Sequence, residues 1–302
     1  MSEPPDPAED TRAILHPARM AEYVRLERFP VPTATDGIFD WAWSVSWNLP
    51  PGERLAQDVL SLPAVNLSVG NGPPPGRTPP PGPYAVLPRV VGVARRRTTR
   101  VLIGSGWNVA IKTTVGGFGA LAPVPVSRWT DKEVPMGTVL ALDDSALAER
   151  MAAATSGGDR AGILLQAVEP FVAQADPARM RAAREVTAIA EAAERHPQLR
   201  LAEELAAYAG LSVRTLQRLF AEYAGISPAW MLRRLRLIEA AERVARGEEV
   251  RWAEVAAELG YSDQAHLSRD FTAAIGSTPT RYAAAQRPTG TSPLPDAPIP
   301  VR

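Results

Sequence analysis

The sequence predicts an α+β protein. A β-rich N-terminal domain, barrel or sandwich, is followed by linker helices and an all-helical C-terminal domain with two helix-turn-helix units. Three observations carry this. Between about residues 21 and 142, apolar residues recur at every second position between Pro- and Gly-rich breaks. From Asp143 onward the apolar period lengthens to that of a helix. Near the C-terminus, two segments about fifty residues apart say nearly the same thing.

The boundaries follow from composition. Residues 1–20 and 286–302 are Pro-rich, lack periodicity and read as flexible tails. Residues 21–142 form the β-rich domain, residues 143–176 the linker helices, and residues 177–285 the helical domain that carries the repeat. The clearest strand is Asp40–Trp47, in which Trp41, Trp43, Val45 and Trp47 alternate onto one face. Val65, Leu67 and Val69 repeat that period, as do Trp107, Val109 and Ile111; Val90–Val93 and Val101–Ile103 are shorter candidates. Asn71–Pro83, dominated by Pro and Gly, reads as a surface loop, and Gly116-Gly117-Phe118-Gly119 as a tight turn that needs positive φ.

The helical half has legible caps. Asp143 or Asp144 starts a helix that runs to about Thr155, and Ser156-Gly157-Gly158 breaks it. Asp176-Pro177 is a cap followed by Pro at the first helical position, and opens a helix that reaches about His196.

Leu201–Tyr208 is the scaffold helix of the first repeat, Ala209-Gly210-Leu211 its turn, and Ser212 the N-cap of the next helix. Leu216, Leu219, Phe220 and Tyr223 then fall at i, i+3, i+4 and i+7, one buried face. The opposite face carries Arg214, Gln217 and Arg218, side chains of the kind that pair bidentately with guanine and adenine edges. A long helix from Pro228 to about Arg246, roughly 28 Å by its rise per residue, links this unit to the second. Its Arg233, Arg234 and Arg236 offer charge to phosphates. The second unit has Val255, Ala256 and Leu259 on its scaffold helix, Gly260 at the turn and Asp263 as cap. Its outer face carries Gln264, Ser268 and Arg269. Leu216, Phe220 and Gly225 are answered by Leu267, Phe271 and Gly276, and the second turn is one residue longer. Adjacent major-groove faces repeat at about 34 Å, so a rigid helix of this length suits a spacer between two reading heads.

The segment Gly260-Tyr261-Ser262-Asp263-Gln264-Ala265-His266-Leu267-Ser268-Arg269-Asp270-Phe271, with Gly276-Ser277-Thr278-Pro279-Thr280-Arg281-Tyr282, closely resembles the signature of the arabinose-regulator (AraC/XylS) family. The resemblance spans about residues 177–285. It implies a seven-helix domain that inserts two recognition helices into successive major grooves of double-stranded DNA. Base-reading positions would then fall on Arg214, Gln217 and Arg218, and on Gln264, Ser268 and Arg269. The N-terminal half resembles the β-rich sensor or dimerisation domains of that family, some of them cupin-like. Transcriptional activation through RNA polymerase, a small-molecule effector and a homodimer are what the resemblance leads one to expect. An alternative is a ligand-independent regulator whose N-terminal domain mediates dimerisation or protein contacts.

Composition narrows the other classes. Lys+Arg and Asp+Glu both number 33, so no global field attracts nucleic acid. Residues 177–285 hold 15 Arg against 14 Asp and Glu, a net of +1. Affinity should therefore rest on a few placed arginines, with a modest salt slope. There are no cysteines and three scattered histidines, His16, His196 and His266. Thiolate chemistry is excluded, and no metal or other cofactor is expected. An enzyme with an appended DNA domain is accordingly disfavoured. The acidic, Pro-rich start is unlike a secretory signal and no apolar run is long enough for a membrane span, so a cytoplasmic protein is expected. Trp41, Trp43 and Trp47 admit two uses, the core of a sheet or the wall of a ligand pocket with Asp40 as a polar handle. Large aromatics on one strand face more often form core.

Overall fold

The computed structural model describes residues 23–73, 84–246, 248 and 250–286. Both expected tails, apart from Gln286, and residues 74–83 of the 71–83 loop lie outside the described residues. The N-terminal half holds eight described strands: β1 (Val24–Phe29), β2 (Phe39–Asn48), β3 (Arg54–Val59), β4 (Asn66–Gly70), β5 (Leu87–Val91), β6 (Thr98–Ile103), β7 (Ser105–Thr113) and β8 (Glu133–Pro135). Six form a sheet in the order β1-β2-β7-β4-β5-β8, every pair antiparallel; β3 and β6 form a separate two-stranded ribbon. The sequence periodicity located β2, β4 and β7. It gave no separate signal for β1, β3 or β8, which are short or weakly alternating.

The two faces of β2 do different jobs. The register shifts between Phe39 and Trp41, and this extra residue changes the parity of the strand. Phe39 therefore joins Ala42 in the large core, with Leu67, Val69, Val109 and Ile111. The tryptophans point the other way. Trp47 packs with Leu55 and Leu102 of the ribbon and with Val24 and Leu49, and its Nε1 donates to the Ile103 carbonyl at 3.2 Å. A Cβ at Gly106 would lie 2.2 Å from the Trp47 ring, so only glycine lets the ring lie flat there. Trp41 is buried beneath the Lys112 ammonium, 4.2 Å from its ring centroid. Lys112 also pairs with Asp40. Half-buried Trp43 donates from Nε1 to Asn66 Oδ1 at 3.2 Å.

Ten α-helices follow among the described residues: α1 (Gly137–Leu140), α2 (Asp144–Ala153), α3 (Gly157–Ala173), α4 (Pro177–Arg195), α5 (Ala202–Tyr208), α6 (Val213–Leu219), α7 (Pro228–Ala245), α8 (Trp252–Glu258), α9 (Gln264–Ile275) and α10 (Pro279–Gln286). The expected caps hold. Asp143 accepts from the N–H groups of Ser145 and Ala146, and Asp176 from those of Ala178 and Arg179. Helices α2 and α3 bury Leu147, Met151, Leu164 and Val168 in the same core as the sheet.

That core does not stop at the sheet. It continues through α4 into the first repeat, taking in Leu205, Leu216, Phe220, Tyr223 and Ile226, and ends on α7 at Met231 and Leu232. A second core starts on α7 at Leu237 and Ile238. It contains Trp252, Val255, Leu267, Phe271 and Tyr282, with Leu60 from the end of the ribbon.

Candidate nucleic-acid interface

Each recognition helix begins on a side-chain cap placed by a glycine turn. Gly210 and Gly260 both take positive φ, +67° and +71°, conformations that a Cβ disfavours. In the first unit Ser212 Oγ accepts from the Thr215 N–H at 3.1 Å. In the second, Asp263 Oδ1 accepts from the His266 N–H at 2.7 Å. The Ser212 cap is worth about 1 kcal/mol. The His266 N–H holds the Asp263 carboxyl below its ordinary range. His266 packs edge-on against Tyr261, ring centroids 5.1 Å apart, and its Nδ1 lies 3.2 Å from Ser262 Oγ.

Arg214, Gln217 and Arg218 lie together, exposed, on α6. On α9, Gln264 and Arg269 are exposed and Ser268 is half-buried. Among the described residues no hydrogen bond or ion pair engages the side chains of Arg214, Gln217, Arg218, Gln264 or Arg269. Their donors are free for a ligand. Behind them Leu216 and Phe220, and Leu267 and Phe271, are fully buried. Each helix therefore presents one polar face from an apolar seat. Glu248 and Glu254 pair with Arg246 and Arg251.

The α6 periodicity leads to a correction. The spacing of Leu216, Leu219, Phe220 and Tyr223 predicts a continuous α-helix to Gly225. The structure has α-helix only to Leu219, then a π turn over Phe220–Ala224 in which the Gly225 N–H donates to the Phe220 carbonyl at 2.8 Å. At the same place in the second unit α9 stays α-helical, and the Gly276 N–H reaches the Thr272 carbonyl.

The N-terminal half presses on the π turn. Thr130 Oγ1 donates to the Gly225 carbonyl at 2.5 Å. Arg179 donates from Nη2 to the Gly119 carbonyl at 2.8 Å and pairs with Glu222. A Cβ on Gly119 would come within 2.6 Å of the Tyr223 Cα, so backbone meets backbone there.

The linker arginines also differ from expectation. Of the three on α7, only Arg233 is exposed. Arg234 is 3% exposed, lies over the Trp230 ring and donates to the Arg95 carbonyl at 2.6 Å. Burial pulls its guanidinium down to about 10. Arg236 donates to the carbonyls of Leu259 and Leu199 at 2.8 and 3.1 Å, and burial lowers it too. Both are directed inward rather than towards phosphates. The signal was their spacing, since Arg234 lies three residues from Met231 and four from Ile238, inside the buried stripe of α7.

A cavity of about 450 Å³ lies beside α7, lined by the end of α4, the α4–α5 loop, α7, the end of α8 and Leu62, and the tryptophans do not line it. Trp41, Trp43 and Trp47 lie elsewhere, in the N-terminal sheet.

Residues 205–285 match the family described as Helix-turn-helix domain. The C-terminal region is a DNA-binding domain of the AraC/XylS type. The AraC-type domain makes this chain a DNA-binding transcription regulator. Residues 36–135 match a family described as Domain of unknown function (DUF6597), which covers strands β2 to β8 of the half that packs against the AraC-type domain. Among curated proteins none matches the chain. Among solved structures it is similar to ToxT from Vibrio cholerae at 8% identity, covering 86% of this chain and 97% of that one, with a TM-score of 0.39. An unsaturated fatty acid-bound ToxT from Vibrio cholerae matches at 8% identity over 89% and 97%, TM-score 0.38. Another ToxT structure from Vibrio cholerae O395 matches at 10% identity over 88% and 98%, TM-score 0.36. Among the described residues no helix is long and apolar enough to cross a membrane, and no group of three or more His, Asp or Glu residues could hold a metal ion.

Proposed function

We propose that this regulator reads an asymmetric site across two successive major grooves, through Arg214, Gln217 and Arg218 on α6 and Gln264, Ser268 and Arg269 on α9. The observation that carries this is the pairing of unengaged polar faces with buried apolar seats on two capped helices. The first face holds two arginines and a glutamine, so it supplies more of the specificity.

The proposal extends to the rest of the chain. Residues 21–142 with the 143–176 helices act as the sensing half of a cytoplasmic activator, controlled by a small molecule, which contacts RNA polymerase and pairs as a homodimer. The core running unbroken from the sheet into the first repeat supports control through the N-terminal half. A ligand that shifts the sheet repacks the seat of α6. Because α2 and α3 bury their apolar residues against the sheet, they move with it. The reading without a ligand, with the N-terminal half serving only dimerisation, differs in one measurement. A metabolite that raises the melting temperature of the full chain supports the sensor, and none across a broad panel supports the docking role.

The DNA reading is tested by gel shift on a site selected from random sequence. Arg218→Ala should lose about 1–3 kcal/mol with relaxed preference at one base pair. Arg269→Ala should lose less. Equal losses on every sequence would make both residues phosphate anchors and overturn the assignment. The salt slope should be shallow, well short of that of a protein with about ten phosphate contacts.

A further inference from the structure

The two reading heads share one helix but not one core. The N-terminal half of α7 is buried with the first unit, through Met231 and Leu232, and its C-terminal half with the second, through Leu237 and Ile238. At the handover the seam is not filled. The 450 Å³ cavity lies there, with Ala193, Pro197 and Leu199 on the side of the first unit and Ile238, Leu259 and Leu62 on the other. Apolar packing resists a change of angle only where the surfaces touch, so this seam resists little through its apolar contacts.

Two arginines cross it. Arg236, between the two buried halves of α7, splits its guanidinium. Nη1 donates to the Leu259 carbonyl at the C-terminal end of α8, and Nη2 to the Leu199 carbonyl just ahead of α5. Arg200 donates from Nη1 to the Ala257 carbonyl in the last turn of α8, at 3.2 Å. Its own N–H is held by Glu204 Oε2 in the first turn of α5. The last carbonyls of a helix lack intrahelical partners and carry the negative end of its dipole, so two cations are well placed there. The turn they grip is the one that aims α9: a Cβ at Gly260 would lie 3.4 Å from Arg200 Cδ and 3.6 Å from Arg236 Nη1. Asp263, the cap of α9, lies three residues on.

We infer that Arg236, assisted by Arg200, sets the angle between the two recognition helices and thereby the spacing of the two half-sites that the protein accepts. A guanidinium is planar and rigid, and two carbonyls held by one fork are held in one relative position. Lysine cannot reproduce that.

The inference rests on the reading that α6 and α9 both contact DNA, and the test separates the two. A selected site is rebuilt with one base pair added or removed between its halves, and each half is also presented alone. The wild type should discriminate against either spacing by about tenfold, comparable to one mismatched base pair. Arg236→Met keeps the stem and removes the fork. It should cut that discrimination to about threefold or less while leaving affinity for the isolated first half-site unchanged. Arg236→Lys should behave like Arg236→Met, because charge alone does not bridge two carbonyls. Arg200→Met, which removes one exposed contact, should give a smaller loss in the same direction and decides the matter if Arg236→Met does not fold. A folded variant that discriminates as well as the wild type overturns the inference alone. Equal weakening at every spacing also overturns it, because the arginines would then be general supports. A wild type indifferent to spacing overturns both the inference and the two-groove reading.

Discussion

The two helix-turn-helix units share a pattern of buried residues and differ in what those residues are packed against. Phe220 and Phe271 occupy equivalent positions and both are fully buried. Phe220 sits in a core that also contains Phe118, Val126 and the central sheet. Phe271 sits in a core of its own, with Trp252 and Tyr282 edge-on at 5.3 and 5.6 Å. The first recognition helix is therefore seated on the N-terminal half, and the second is seated on its own unit and touched from outside by Leu60. A duplicated motif can keep its fold while one copy gives up its independence.

The largest effect comes from emptying the two equivalent sites. Phe220→Ala and Phe271→Ala should each cost about 3–5 kcal/mol, the usual range for a buried phenylalanine. The distribution should differ. Phe220→Ala should raise amide exchange in β4 and β7 as well as α6, and the N-terminal half should melt with the first unit. Phe271→Ala should raise exchange in α8 to α10 only, as a separate early transition in calorimetry. Identical exchange maps would mean that the two cores are one cooperative body, and the comparison would fail.

A smaller change probes the contact directly. Gly119→Ala would place a Cβ 2.5 Å from Tyr223 Cδ1 and 2.6 Å from its Cα. Backbone on one side and a buried ring on the other leave little room to adjust, so about 1–3 kcal/mol should be lost, read from denaturant midpoints. The Gly225 N–H, which closes the π turn on Phe220, reports the cause. If its exchange protection collapses, docking of the N-terminal half maintains the π turn. If protection survives the same destabilisation, the turn is a local property of Phe220–Ala224 and the seat is less intimate than the packing suggests.

Legibility from sequence followed the range of the interactions. Local signals were read well: Ser212 and Asp263 as caps, Gly210 and Gly260 as turns, Asp176-Pro177 as a helix start, and the alternation of β2. The tandem repeat itself led to the DNA-binding class. What sequence could not show depended on partners far along the chain. The π turn follows a period identical to that of an α-helix, and the residues that press on it, Gly119 and Thr130, lie about a hundred positions upstream. Arg234 and Arg236 look like surface charge until Arg95, Leu199 and Leu259 are brought against them. The aromatic face of β2 was visible, and so was β6 of the ribbon as Val101–Ile103, but β3 and the cations that cover that face were not.

The smallest effect separates the two units by acid. In the first, the depressed carboxyl is Glu204, held down by the N–H groups of Arg200 and Leu201 at the start of the scaffold helix α5; the recognition helix is capped by Ser212, which does not titrate. In the second, α8 starts at Arg251 with no side-chain cap, and the depressed carboxyl is Asp263 at the start of the recognition helix. A carboxyl held low in the folded state adds stability that is fully present above its unfolded value. That stability is lost as pH falls through the lower folded value. For Asp263 the loss begins as pH drops below about 3.8, its ordinary value; for Glu204 it begins below about 4.5. Amide exchange at His266 should therefore rise with acid, while exchange at Thr215, donating to Ser212, should hold until α5 loosens. Asp263→Asn, a cap that accepts equally well without titrating, should remove the acid response at His266 and leave that of α5 untouched. If His266 still responds in Asp263→Asn, the acid sensitivity of α9 has another source and the capping asymmetry between the units carries no functional difference.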